Sequence, residues 1–511
     1  MGIRPELRPW LIRALLMMIV AFGAYVRLVN LRDNPGWYSD EGSDLEMAAH
    51  LAYGRGQYYA IGGATFITGH LPLFHLLAAG LVRLLGRDIL AVRLPAALSG
   101  VLALPLLYLV GREMIGEGVG LLAAGLFALY PNAVLYNRFG FSYNLLQPLY
   151  LLVLYALHRS LQGEGTRWVA LAGLSSGLAL GTSLVAAPLL AVVAAALALK
   201  HRWRGLRTVL LLASLPLSAY ALVMLLSAPE AFLYDIAFTL GRARRSLPLQ
   251  LAAVTVHYFS FWEWDFWHPL GLAGLFLIPR RRARGMLLAT TFFSLFWVLR
   301  VEALSHLGFY RALGLLPLVA LGMAVLLARG LPWLLPRLQE DLQHLPWPRL
   351  TTTLTAVTVF FCLLSPLLIS AYWDVHRAHI GFPTRLGGTV VQEPQDARQA
   401  AAYVNAHTDS DDLVLASPHI AWLMHAWVAD FQQSLASRGV ATEHFPGDLP
   451  RSRWVYDPWY RKARFVVVDD LWRGWASQTM PEVADMLQEI QQWPLAARFG
   501  EFAVYRNPEA K

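Results

Sequence analysis

Apolar residues run in long blocks through most of this chain, and the polar positions gather in the short stretches between them. Blocks near the ~20 residues that cross a bilayer as a helix fall at about 12 to 30, 92 to 111, 118 to 136, 143 to 157, 168 to 183, 184 to 199, 208 to 227, 265 to 279, 286 to 300, 310 to 328 and 352 to 372. One further block, Leu71 to Leu85, opens His70-Leu71-Pro72 and carries Arg83. At about 15 residues it is too short for a comfortable span. Basic residues cluster at Lys200-His201-Arg202-Trp203-Arg204 and Arg280-Arg281-Arg282-Ala283-Arg284. Such clusters belong on the cytoplasmic side. Walking back from Lys200 puts His158 to Arg167 inside, Arg138 outside and Gly111 to Glu117 inside. One crossing then separates Gly111 from the loop after the first block, which makes Leu71 to Leu85 a helix on the outer surface.

The expected fold is a multi-span α-helical membrane protein of about eleven transmembrane helices, with outer-surface helices beside the membrane. Its N-terminus is cytoplasmic and its C-terminus outside, in the plasma or inner membrane. From Asp374 the pattern changes. An amphipathic stretch from Gln395 to His407 is followed by the β-rich runs Asp412 to Ala416 and Arg464 to Asp469, an acidic helical stretch from Pro481 to Trp493, and Phe499 to Tyr505. This alternation predicts a small extracytoplasmic α/β domain over 374–511, after a membrane domain over 1–373 whose first outer loop spans 31–91.

Composition agrees with that reading. Hydrophobic residues make up 56% and charged residues 15% of the 511, with a mean hydropathy of +0.44. A soluble enzyme has about 25% charged residues. The net charge of +8 falls between apolar blocks, where it orients the chain and attracts anionic lipid, and it gives no footprint for nucleic acid. A single cysteine, Cys362, excludes an intrachain disulfide or a zinc-thiolate site. The basic N-terminus ahead of an apolar run has the look of a leader, but the many later spans argue for a retained first helix.

The candidate chemistry lies just after the first block, at Asn34-Pro35-Gly36-Trp37-Tyr38-Ser39-Asp40-Glu41-Gly42. Pro35 and Gly36 break the preceding helix, and Ser39 is placed to cap a new one starting at Asp40. Leu45, Ala48, Ala49 and Ala52 recur at helical spacing until Gly54 and Gly56 end it. Asp40 and Glu41 then occupy a first helical turn, where the backbone N–H groups favour anions. With the first loop, three segments share the outer face: Tyr136 to Gly140, Pro229 to Asp265, and Glu302 to Arg311. No Gly-x-Gly-x-x-Gly or Gly-Lys-Ser/Thr nucleotide loop occurs, so no nucleotide cofactor is expected. A site level with lipid headgroups can use a donor whose leaving group is a lipid phosphate. It then needs cations for the phosphate, for which Arg138 and Arg311 are candidates, and a base for an incoming hydroxyl, for which Asp40 is. Trp422, Trp427, Trp454, Trp459, Trp472 and Trp475 suit core packing and membrane-interface anchoring better than stacking on sugars.

Tyr38-Ser39-Asp40-Glu41-Gly42, then Gly69-His70-Leu71-Pro72-Leu73-Phe74-His75, then Ala91-Val92-Arg93-Leu94-Pro95 through Gly111-Arg112 resembles the N-terminal half of GT-C glycosyltransferases. The nearer branch is that of protein O-mannosyltransferases and lipid A aminoarabinose transferases. His306 to Gly322 resembles a late span of the same branch. The resemblance implies inverting transfer of a hexosyl or pentosyl group from a polyprenyl-phosphate donor to a glycan, lipid or protein acceptor on the outer face. Asp40 would be the base or metal-organising carboxylate and Glu41 its catalytic neighbour. Tyr38, His70, Tyr143, Asn144 and Glu302 would line the site, and Asp40 with His70 would hold a divalent metal cation if one is used. Many members carry an acidic residue where this chain has Tyr143-Asn144, which weakens a two-carboxylate metal site. The rival readings are a polytopic lipid or solute transporter, or flippase, and a sugar-binding anchor.

Overall fold

The computed structural model describes residues 8–63, 71–242, 267–301, 308–341, 348–376 and 391–510. Helix α1 is Arg8–Leu28, β1 Trp37–Tyr38, α2 Ser39–Ala52, β2 Gln57–Tyr58, β3 Ile61–Gly62 and α3 Pro72–Leu85. Then come α4 Leu90–Met114, α5 Glu117–Leu129, α6 Pro131–Asn137, α7 Leu146–Leu161, α8 Thr166–Thr182, α9 Ala187–Leu199, α10 Trp203–Ser227 and α11 Pro229–Arg242. The helical part closes with α12 Trp267–Phe276, α13 Arg281–Val301, α14 Leu316–Asp341 and α15 Pro348–His376. Every apolar block of the sequence thus carries helix. By length and composition alone, four described segments can cross a membrane: Pro9–Leu28, Leu90–Met114, Trp203–Ser227 and Arg311–Gly330. A fifth results if α5 and α6, bent by 59° at Tyr130, form one broken span.

Pro131 causes that bend. It starts α6 without an N–H, and the last carbonyls of α5 lose their helical donors. Arg27 supplies replacements: its guanidinium donates to Phe127 O at 3.0 Å and Ala128 O at 3.3 Å, and its Nε donates to Asn137 Oδ1 at 2.8 Å. The fully buried arginine therefore closes a helix end inside the bundle. The predicted break of the first helix at Pro35 comes earlier, since α1 ends at Leu28 and Asn30 turns the chain at φ +52°.

The connections sort onto two ends. Arg159 reaches Glu113 at 3.4 Å, Arg280 donates to Glu113 O at 2.6 Å, and Arg202 donates to Leu161 O at 3.4 Å. The segments grouped as cytoplasmic from charge therefore meet at one end. α3, at 14 residues, is about 21 Å long. It buries Phe74, His75, Ala78, Ala79 and Val82 and packs on α2 and α4 at the other end.

There the C-terminal part covers it. β4 Val391–Gln392, α16 Pro394–Asn405, β5 Leu413–Ala416, α17 Pro418–Ala421, β6 Trp427–Ala429, α18 Phe431–Ala436, β7 Phe465–Val468, α19 Pro481–Ile490, β8 Leu495–Phe499 and β9 Phe502–Arg506 surround a five-stranded sheet ordered β6-β5-β7-β9-β8. β5 is parallel to both β6 and β7, and β9 is antiparallel to β7 and β8. The run expected from Phe499 to Tyr505 is instead the turn and second arm of a hairpin. β4 pairs with β1, Trp37 to Gln392 and Tyr38 to Val391. One apolar core joins Trp37, Leu45, Tyr58 and Phe74 of the first loop to Val404, Val414, Ile420, Trp422 and Phe465. The boundary expected at 373/374 thus separates segments that pack as one body.

Candidate functional site

The first turn of α2 separates the two acidic residues. Tyr38, not Ser39, occupies the cap position, and the Glu41 carboxylate reaches back to accept from its backbone N–H at 3.0 Å. Glu41 also accepts from Gly140 N at 2.7 Å and from Arg93 twice, Nε at 2.7 Å and a terminal nitrogen at 2.6 Å. Both side chains are fully buried. Arg93 further donates to Leu31 O and Pro35 O, each at 2.9 Å, and to Gly36 O at 2.8 Å. Four N–H donors thus surround the carboxylate of Glu41, the residue expected as the catalytic neighbour of Asp40, and this geometry gives it a structural role. Arg93 received no role in the sequence reading. An arginine just inside an apolar helix must find an anion or carbonyls, and that was the available signal.

Arg138, expected at the donor phosphate, is likewise buried. It donates to Val26 O at 2.7 Å, Val29 O at 2.6 Å and Asn34 O at 2.7 Å, closing the C-terminal end of α1. Asn144, expected to line the site, is fully buried and accepts from Asn137 at 2.7 Å while donating to Tyr136 O at 2.9 Å. Tyr38 is buried with its ring edge-on to Phe141 at 5.0 Å, so it supports the loop from beneath. Tyr143 is half-buried and packs beside Val185, Val298 and Ala312. Arg311, half-buried, lies in the 3₁₀ turn Gly308–Leu315, which packs on the 3₁₀ turn Ser142–Leu145. His70 and Glu302 lie outside the described residues.

Four acids stand on α2, and three are buried beside a basic side chain. Beyond Glu41, Asp44 is buried with Oδ1 2.9 Å from His75 Nε2. Glu46 is paired with Arg87 and His50. Burial pushes the Glu46 carboxyl upward, but Arg87 and His50 together outweigh it and hold the group below its ordinary range. Asp40 alone of the four is partly exposed. Ser39 Oγ is 3.5 Å from Asp40 Oδ1, and Ser43, one turn on, shares a hydrogen bond of 2.9 Å with Tyr58 Oη. Burial, with the charges of Asp430, Asp40 and Asp44, holds the Tyr58 phenol well above the usual tyrosine range, so it acts as a neutral partner. Gly42 marks how closely the C-terminal part approaches: a Cβ there would lie 1.8 Å from Pro418 O. Among the described residues no group of three His, Cys, Asp or Glu side chains is placed to hold a metal.

The chain is an integral membrane protein, and its helical bundle roofed by an α/β part is a fold that it shares with solved membrane proteins. Residues 69–232 match the family model described as dolichyl-phosphate-mannose-protein mannosyltransferase. The structure is similar to ArnT from Cupriavidus metallidurans in the apo state, with a TM-score of 0.65 at 16% identity over 98% of each chain. Against ArnT bound to undecaprenyl phosphate the TM-score is 0.63 at 16% identity, over 99% of this chain and 100% of that one. The Archaeoglobus fulgidus oligosaccharyltransferase in its apo form gives 0.54 at 13% identity, over 90% of this chain and 69% of that one. A search of curated protein sequences finds no match.

Proposed function

We propose that the protein transfers a sugar from a polyprenyl-phosphate donor to an acceptor hydroxyl by a single inverting displacement, with Asp40 as the general base. The observation that carries this reading is the contrast within α2, where three carboxylates are buried in pairs and Asp40 is left partly exposed at the helix start. In the step, the acceptor oxygen bonds to the anomeric carbon as the bond from that carbon to the phosphate oxygen breaks. Asp40 takes the hydroxyl proton, and the lipid phosphate leaves carrying the displaced electron pair. Arg311 is assigned to that phosphate in place of the buried Arg138.

Two solved relatives support a lipid-phosphate donor: ArnT bound to undecaprenyl phosphate, and the Archaeoglobus fulgidus AglB in complex with an inhibitory peptide and a dolichol-phosphate, at a TM-score of 0.50. In this proposal the site faces outward from the plasma or inner membrane, with the N-terminus cytoplasmic and the C-terminal part outside. The acceptor is a glycan, lipid or protein hydroxyl. Asp40 and His70 are the residues proposed to hold a divalent cation. Fold likeness gives the transporter reading no support.

The test is turnover of purified protein with a panel of labelled polyprenyl-phosphate sugars, with and without chelator. Asp40→Asn is expected to lose ~10²- to 10⁴-fold in kcat while retaining the melting temperature of the parent. Turnover close to that of the parent would end the assignment.

A further inference from the structure

The strand pair β2–β3, Gln57 to Gly62, leans on α2 from the side of Tyr58, and the C-terminal part holds it at three places. Gln433 donates to Tyr58 O at 3.0 Å and accepts from Ala60 N at 3.2 Å. Val455 N donates to Ala60 O at 2.9 Å. The third place is Arg453. Its guanidinium has five N–H groups. They meet Gly62 O at 2.7 Å, Gly63 O at 3.3 Å, Asp235 Oδ1 at 3.0 Å, Asp235 Oδ2 at 3.3 Å and Ala231 O at 3.5 Å. Arg453 is 7% exposed and Asp235 0%. Asp235 and Ala231 belong to α11, so one side chain ties the C-terminal part, the first loop and the helix after α10. The close fit of loop and helix is visible independently at Gly63, whose φ is +61° and where a Cβ would stand 3.1 Å from Ala231 Cβ.

A cation placed only for stability would not need this arrangement, because burying an ion pair is costly and apolar residues of similar size fill such places as well. What the fork offers is geometry, since three carbonyls and a carboxylate are held in fixed directions that a lysine, with three donors on a flexible stem, does not reproduce. The loop so fixed carries Tyr58, which is hydrogen-bonded to Ser43, three residues beyond Asp40 on the same helix. Misplacement of a reacting group by about 1 Å costs on the order of 10²-fold in rate.

We propose that Arg453 is a positioning residue for the transfer reaction: with Asp235 it clamps the β2–β3 loop, and through Tyr58 and Ser43 this loop sets the direction of the Asp40 carboxylate. The C-terminal part is then an integral piece of the transfer site. This inference rests on Asp40 being the base. It adds that a substitution in the roof, remote from the acceptor, acts on the chemical step.

The experiment uses the full chain in lipid nanodiscs, with Arg453→Met, Arg453→Lys, Asp235→Leu and the double variant Arg453→Met/Asp235→Leu. The double variant leaves neither ion buried without its partner, so its melting temperature recovers toward that of the parent where a single variant's falls, short by what the Gly62 and Gly63 carbonyls lose. Its kcat falls by about 10- to 100-fold at unchanged donor KM. The double variant is no slower than the slower single variant, because both changes break one clamp. Arg453→Lys does not restore the rate. Amide hydrogen exchange speeds up within 57–63 and 229–242 and nowhere else. Parent-like kcat in the double variant, or exchange that rises across the whole C-terminal sheet, overturns the proposal. The exchange measurement needs no substrate. If the parent transfers no sugar, the proposed function fails while localised exchange still shows the clamp, so the two failures are told apart.

Discussion

At one end of the helical bundle, Arg159 lies 3.4 Å from Glu113 and also contacts Glu164, with all three side chains a fifth to a third exposed. At the other end, Glu41 and Arg93 are sealed from solvent, and Arg27, Arg138 and Asp235 are equally buried. Exposed pairs in high dielectric carry little free energy and mainly set which way the chain faces the membrane. Buried ones must be complete, because each unpaired member would carry the full cost of its desolvation. The lesson is that the buried charges at the second end are structural, and among the four acids of α2 only Asp40 is left partly exposed.

The sharpest way to break this contrast is to cut the Glu41–Arg93 pair. Glu41→Gln or Arg93→Met should destabilise the protein by about 3–5 kcal/mol, read as early melting and poor recovery from the membrane, because the surviving charge stays buried. The paired change Glu41→Leu/Arg93→Met should recover much of the melting temperature. If Glu41→Gln melts like the parent and loses only turnover, Glu41 belongs back in the catalytic step. Next in size is Arg138 against Arg311. Arg138→Met takes a donor from two carbonyls at the α1 end and from that of Asn34 in the loop beyond, at about 1–3 kcal/mol for a buried group, and lowers stability. Arg311→Met is expected to weaken donor use, measured as a raised donor KM, with stability intact. The reverse pattern would return Arg138 to the phosphate.

Much of this was legible before any coordinates. Apolar blocks marked the helices, and charge clusters sorted their connections onto the ends where Glu113, Arg159, Arg202 and Arg280 meet. Leu45, Ala48 and Ala52 announced the buried face of α2. The two-residue strands β1 and β4 were not legible, since their pairing is non-local and each is too short for an alternating pattern. Nor does a sequence tell a phosphate-facing arginine from one that closes a helix end. Arg138 and Arg311 both sit at the edge of an apolar run, and only the carbonyls left open by α1 separate them. Ser39 lost the cap because Tyr38 is held extended by its pairing with Val391, a partner more than three hundred residues away.

A smaller effect tests the roof. Asp430 caps α18, accepting from Gln433 N at 2.7 Å, and burial raises its carboxyl to about 6 in spite of that bond. The folded protein thus holds a proton there that the unfolded chain releases near its ordinary value of 3.8. Stability from this group is present at low pH and is lost as pH rises from about 4 to 6. Asp430→Asn keeps a capping oxygen and should flatten that part of the melting-temperature profile, adding about 1–2 kcal/mol at neutral pH. An unchanged slope between pH 4 and 6 would show that the group titrates alike in both states.

The smallest expected effect belongs to the exposed end. Arg159→Gln removes the contacts with Glu113 and Glu164, but both carboxylates keep access to water, and Glu113 retains Arg112 at 3.0 Å. The loss is therefore bounded by that of a surface pair, about 0–1 kcal/mol, and it should shrink further in high salt. Donor KM and kcat should not move, since the Asp40 loop and Arg159 lie at opposite ends of the bundle. A drop in turnover at unchanged stability would mean that the two ends are coupled through α4 or α7, and that the division between orienting and positioning charges is too simple.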